Sequence, residues 1–454
     1  MTTAPRPVPA LVSSPLLPTL LRLAAPAAFS QVASAAVSVA ETVYIGRLGT
    51  VPLAAVAVVF PFVILVGMLS GGAMGGGVSS AISRALGAGD RERAGRLVVH
   101  AALIGLAGGV IYTMAMIGFG PAAFAFLGAR GAVLEQATAY SHLLFAGAIS
   151  IWMANILAST LRGSGDLKTA SMVLMLVSVA QILIGGVLGL GLGPAPRLGM
   201  PGVAAGSLIA YSAGALYLLW RVLGPRARLP VRLAGFRPNR ALFADILKVG
   251  GVACLSSVQS VATILVFTRI VGHFGPEALA GYGVGARLEF LLTPLSFAIG
   301  VAAIPMVGMA IRAGDIARAR RVAWAAGGLA GGLAGIIGTV IALKPSLWTH
   351  LFTSDPGVRA AAAVYLHWAG PAFVFLGLAM ALYFAAQGAA RIVGPVLAQT
   401  ARLVAVLGGG LWLAHTQAPV WQLFALVAFS LAVYGLSMAG VIYFTRWGPK
   451  PARP

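Results

Sequence analysis

The sequence predicts an all-α membrane protein: twelve transmembrane helices in two six-helix halves, related by pseudo-twofold symmetry along the membrane normal. Three observations predict it. Of 454 residues, 59% are hydrophobic and only 9% are charged, whereas a water-facing domain carries about a quarter charged residues. Twelve apolar stretches reach the roughly 20 residues needed to span a bilayer. The second half of the chain also repeats the first at a nearly constant offset.

The predicted spans run 16–46, 52–83, 97–127, 137–161, 169–193 and 201–222 in the first half. Those of the second half run 245–272, 279–308, 322–343, 360–386, 395–414 and 420–445. Residues 1–222 thus form an N-terminal half and 245–454 a C-terminal half. Between them, 223–244 is a basic linker carrying Pro225, Pro230 and Pro238, which reads as a long cytoplasmic hinge. From Met1 to Leu20 there are early prolines, and the apolar run continues into the first span, so a cleavable signal peptide is not expected.

The chain holds 31 Lys and Arg against 10 Asp and Glu, a net charge of +21. A nucleic-acid surface gathers its basic residues beside stacking aromatics. Here they punctuate the apolar runs, as in the loops of a multi-spanning protein, and no nucleic-acid partner is expected. Taking the loops alternately puts 24 basic residues on one side, including Arg6, Arg226, Arg391, Arg402, Lys450 and Arg453. Only Arg47, Arg130, Arg197, Lys344 and Arg359 fall on the other, and Arg269 and Arg287 lie in or near spans. By the positive-inside rule the richer side is cytoplasmic. The expected location is the cell (inner) membrane, multi-pass, with both termini cytoplasmic.

The repeat is legible in four places. Gly46-Arg-Leu-Gly49 with Leu53-Ala54 recurs as Gly272-His-Phe-Gly275 with Leu279-Ala280. Ala88-Gly-Asp90 with Arg93, Ala94 and Arg96 recurs as Ala313-Gly-Asp315 with Arg318, Ala319 and Arg321. Tyr140 and His142 recur as Tyr365 and His367, and Gly163 as Gly388. Six spans per half is an even number, so the halves share one orientation. Parallel repeats of this kind are a transporter architecture; a static bundle left by an old duplication is the other reading.

Pro26, Gln31, Glu41-Thr42, Gly46-x-x-Gly49 and Leu53-Ala54, then Gly87-Ala-Gly-Asp90, Leu161-Arg-Gly-x-Gly165 and Gly199-x-x-Gly202-x-Ala-Ala205, resemble the multidrug and toxic compound extrusion (MATE) transporters. The DinF-like branch is the most similar. The resemblance spans essentially the whole chain. It implies cation-coupled antiport that expels amphipathic, often cationic, organic compounds. It also implies that Glu41 occupies the acidic position of the first helix, with Tyr140 and the Ser207 hydroxyl as its neighbours. In the fifth helix Gln181 and Gly185 match a family Asn and Asp, so a second acid is missing. The seventh- and tenth-helix carboxylates of NorM-like members are absent too.

The residues support a first-helix site independently. Asp90, Glu92, Asp166, Asp245 and Asp315 lie beside basic clusters, and Glu135, Glu277 and Asp355 in or beside outer loops. Only Glu41 and Glu289 remain in spans. An ionisable residue at membrane depth costs at least ~2.5 kcal/mol and marks function by default. Gln31, Ser34, Ser38 and Glu41 are spaced to share one helical face, which would be costly against lipid. With Gly46 as the outer end, Glu41 lies roughly 7 Å inward. A carboxyl there can alternate between protonated and ionised states, as a proton-coupled exchanger requires; snorkelling to the interface is the bland reading. Pro26 removes a backbone bond in the same helix, so it is a candidate hinge or a static kink. Arg287 and Glu289 point to different faces of the eighth span, either lining an outer cavity or pinning helices. The Tyr and His pairs suit interfacial belts, although a histidine there could titrate.

Several functions compete. Proton-coupled efflux is the first, with a proton as coupling ion and no cofactor or metal. Sodium could replace the proton, since one carboxylate with nearby hydroxyls can coordinate it. A flippase for a lipid or lipid-linked precursor is the alternative of the same superfamily. A membrane-embedded enzyme needs clustered catalytic groups, and the six His are scattered. The expected partners are small organic substrates and membrane lipids, with the protein a monomer. The single cysteine, Cys254, excludes an internal disulfide.

Overall fold

The computed structural model describes residues 10–448 apart from 195, 226, 234, 235 and 417. Arg6, Arg226, Lys450 and Arg453 therefore lie outside the described residues. All regular secondary structure among the described residues is helical. The first half holds α1 (Leu16–Gly46), α2 (Thr50–Gly87), α3 (Arg91–Phe126), α4 (Gly131–Ala146 and Ala148–Gly163), α5 (Leu167–Leu190) and α6 (Met200–Leu223). The second holds α7 (Arg240–Gly272), α8 (Pro276–Arg312), α9 (Ile316–Leu343), α10 (Pro356–Gly388), α11 (Val393–His415) and α12 (Val420–Phe444). Eleven of these are single spans; α4 is bent by 43° at Gly147 and is the twelfth.

The spans keep their predicted order, and the structure adds two irregularities. One is the bend in α4. The other is a π-helical stretch, Met68–Met74, inside α2. Asn155 of α4 donates from Nδ2 to Ser70 Oγ at 2.9 Å there, and such π segments gather at functional sites.

The repeated Ala-Gly-Asp motif is a pair of equivalent turns. Gly89 and Gly314 take φ of 75° and 89°, a left-handed conformation that glycine adopts without a Cβ penalty. Asp90 and Asp315 then cap α3 and α9, accepting from the N–H of Arg93 and Arg318 at 2.8 Å each. Those two arginines make a further matching contact. Arg93 Nη2 binds Asp245 of α7 at 2.9 Å, and Arg318 Nη2 donates to the Leu11 and Ser14 carbonyls, just before α1, at 3.0 and 2.5 Å.

Contacts divide the chain into two compact units. One takes Ala25–Cys254; the other takes Leu255 onward together with the first helix up to Ala24. The boundary in α1 falls one residue before Pro26, and the boundary in α7 fourteen residues after its start. The first turns of α7 belong with the first unit because Asp245 is held by Arg84 at 2.5 Å as well as by Arg93. Gly77 of α2 also lies backbone-to-backbone on Gly250.

Two expectations are corrected. The linker is not a free hinge over its described residues, because it is docked on the first unit. Arg228 pairs with Asp166 at 3.3 Å and its carbonyl accepts from Arg91 at 2.7 Å. His100 accepts from the Asn239 N–H at 3.0 Å, with Phe236 and Phe243 packed against its ring. Arg402, counted among the loop residues, is instead the tenth residue of α11. The loop asymmetry loses one member and survives; the second half gains a cation at membrane depth.

Candidate functional site

Glu41 sits on the last turns of α1, where it meets α5 and α6. The seam between α5 and α6 is built from small residues. A Cβ on Gly206 would collide with the Gly185 backbone, and one on Gly202 would lie 2.5 Å from the Leu188 carbonyl oxygen. This close approach sets Gln181 and Ser207 side by side. Tyr44 of α1 packs on Gly186, which brings Glu41 up to the same seam.

The result is a closed triangle of hydrogen bonds. Gln181 Nε2 donates to Glu41 Oε1 at 2.8 Å and to Ser207 Oγ at 2.8 Å. The Ser207 hydroxyl donates to Glu41 Oε1 at 3.4 Å. Glu41 and Gln181 are half-buried and Ser207 is buried. Tyr140 of α4, buried, and Tyr211 of α6, half-buried, lie within electrostatic range of the carboxylate. None of the ion pairs among the described residues involves Glu41.

The polar stripe on α1 is only partly engaged. Ser34 lies 3.2 Å from the Ser178 hydroxyl of α5, one turn below Gln181. Gln31 and Ser38 are half-buried, and their side chains make no hydrogen bond among the described residues. Pro26 lies within α1, which continues through it. Sequence spacing alone could not have found Ser178 or Tyr211, since both come from other helices.

The second-half candidates separate. Arg287 is exposed and lies over the Phe352 ring, 4.8 Å from its centroid. Glu289 turns to Arg402 of α11, Oε1 to Nη2 at 3.5 Å. The sequence signal for Arg402 was present, because it falls seven residues inside the apolar run 395–414; grouping it with the loop clusters hid it. The seventh-span hydroxyls and amides pair with α11: Gln259 donates to Thr400 at 2.7 Å, and Gln399 to Ser260 at 3.0 Å.

With this geometry in view, the similarities to known proteins are consistent. The MatE family model matches the chain twice, over residues 26–187 and 253–408. A probable multidrug resistance protein NorM from Deinococcus radiodurans is 30% identical, with 99% of each chain covered. An FAD transporter from Shewanella oneidensis is 25% identical over 87% of this chain and 88% of its own. Among solved structures, a MOP superfamily transporter from Pyrococcus furiosus superposes with a TM-score of 0.88 at 22% identity, covering 96% and 98% of the two chains. A MATE in its straight conformation gives 0.86 at 23% identity, covering 95% and 97%. The twelve-helix fold, the two family matches that fall one on each repeat and the full-length likeness to NorM together establish that the chain belongs to the MatE family of multidrug and toxic compound extrusion (MATE) transporters.

Proposed function

We propose that the protein exports amphipathic, often cationic, organic compounds by cation-coupled antiport, with the proton as coupling ion and Glu41 as the carboxyl that carries it. The observation that supports this reading best is the character of the groups around Glu41. A carboxylate compensated by arginine stays ionised, whereas one held only by an amide and a hydroxyl can exist in either state. When Glu41 is ionised, Gln181 and Ser207 both donate to it. When it is protonated, the Ser207 hydroxyl can rotate to accept, since a hydroxyl both donates and accepts. Proton and cationic substrate then compete for one site. Pro26, at the unit boundary in α1, gives that helix a place to bend as the charge on Glu41 changes. The names of the NorM relatives support multidrug compounds as the cargo.

The test is efflux of a cationic dye from everted membrane vesicles under an imposed pH gradient or an imposed sodium gradient. The pH gradient alone is expected to drive the wild type, and Glu41→Gln is expected to abolish the coupled component. Coupled transport that survives in Glu41→Gln would overturn the assignment of Glu41. Drive by sodium alone would overturn the proton.

A further inference from the structure

The second unit contains an ionisable cluster that cation export leaves unused. Arg402 lies roughly 14 Å along α11 from its start, well inside the span. Its side chain is 12% exposed and that of Glu289 is 21% exposed. A matched arginine–carboxylate pair is usually bidentate with contacts near 2.8 Å. This pair is a single contact at 3.5 Å. Arg402 Nε is buried with no acceptor among the described residues, and the buried hydroxyl of Tyr365 on α10 likewise has no partner there. Tyr434 of α12 lies under the guanidinium, 5.7 Å from its carbon to the ring centroid. Tyr282 of α8 packs edge-on against Tyr365, with ring centroids 5.6 Å apart.

Buried donors are normally satisfied, and each exception needs a reason. Among the described residues eleven buried side-chain atoms lack a partner, and two of them, Arg402 Nε and the Tyr365 hydroxyl, flank the same carboxylate, Glu289, where a guanidinium offers a fork of donors and a phenol offers one more. Aromatic rings supply the remaining walls. We propose that this cluster is a binding site for the oxyanion of an amphipathic organic anion: a carboxylate, sulfonate or phosphate that accepts from Arg402 and Tyr365 while its apolar body packs on Tyr434 and Tyr282. Glu289 is the resident anion that such a ligand displaces. The two repeats thereby differ in kind. Tyr140 stands beside an acid held by neutral donors, and its repeat equivalent Tyr365 stands beside an acid paired with a base, Glu289 with Arg402. The inference goes beyond cation export and does not depend on Glu41.

The experiment uses the full-length protein in nanodiscs of phosphatidylcholine and reads fluorescence polarisation of two probes. Fluorescein is the anion, and tetramethylrhodamine ethyl ester is a cation on the same xanthene ring. Wild type is expected to bind fluorescein, and Arg402→Gln to weaken that binding about tenfold while leaving the cationic probe within about twofold. Glu289→Gln removes the competing carboxylate and is expected to tighten fluorescein severalfold, a gain that misfolding cannot imitate. Failure of wild type to bind fluorescein overturns the proposal. So does unchanged binding in a folded Arg402→Gln, or unchanged or weaker binding in Glu289→Gln. Adding phosphatidylglycerol to the nanodisc identifies the source of the anion: competition assigns the site to a lipid headgroup, and undiminished fluorescein binding assigns it to a solute.

Discussion

At Glu41 the decisive neighbour is an amide. Gln181 Nε2 spends one N–H on the carboxylate and the other on Ser207, so it both binds Glu41 and orients the hydroxyl. Ser207 reaches the carboxylate only at 3.4 Å. A hydrogen bond to a charged group is worth about 1.5–3 kcal/mol. Gln181→Leu is therefore expected to lower pH-driven efflux by about tenfold or more, and Ser207→Ala by less, when initial rates in everted vesicles are compared. Equal losses would contradict the dominant place given to Gln181. The acid itself was legible in the sequence because an isolated carboxylate in an apolar run stands out. Its partners were legible only through the family resemblance, since they lie 140 and 166 positions away along the chain. Arg402 was misread for a related reason: a basic residue near a basic loop looks like part of that loop until the helix is drawn through it.

At the level of elements, the α5–α6 seam makes the site possible. Gly206 lies so near the Gly185 backbone that any Cβ must push the helices apart. Gly206→Val is expected to cost about 1–3 kcal/mol from overpacking, read as a lower melting temperature of the purified protein, and to abolish efflux by separating Gln181 from Ser207. The docked linker gives a second prediction. His100 Nδ1 lies 2.7 Å from the Arg96 carbonyl and Nε2 accepts from Asn239, an arrangement that requires the neutral ring with its proton on Nδ1. His100→Ala leaves the Asn239 N–H without an acceptor and removes the surface on which Phe236 and Phe243 pack. Faster trypsin cleavage at Arg232 is the expected result. A cleavage rate equal to that of wild type would show that the linker is held elsewhere.

For the whole molecule, the repeat carries structural weight in a specific way. Arg93 and Arg318 occupy equivalent places after equivalent caps, and each grips the entry of the helix that opens the opposite repeat. Arg93→Ala and Arg318→Ala are accordingly expected to destabilise the protein by similar amounts, about 1–3 kcal/mol each, seen as comparable falls in melting temperature. A large effect from only one would break the functional equivalence of the two motifs. The pairing also explains why the compact units cut through α1 and α7 instead of falling at the linker: the opening turns of each helix are tied by ionic and backbone contacts made before the helix crosses.

Twelve helices, their order and the duplication were determined by the sequence alone, because hydrophobic length and repeated turn chemistry are local properties that lipid makes obligatory. The two acids inside spans, Glu41 and Glu289, were picked out in the same way, by the cost of placing a charge in hydrocarbon. Only the tertiary structure decided what surrounds each charge. It set Gln181 and Ser207 on Glu41, Arg402 on Glu289, and the proline-rich linker on the face of the first unit. Those outcomes depend on which helices approach closely enough for side chains far apart in sequence to share a hydrogen bond, and that is a property of packing.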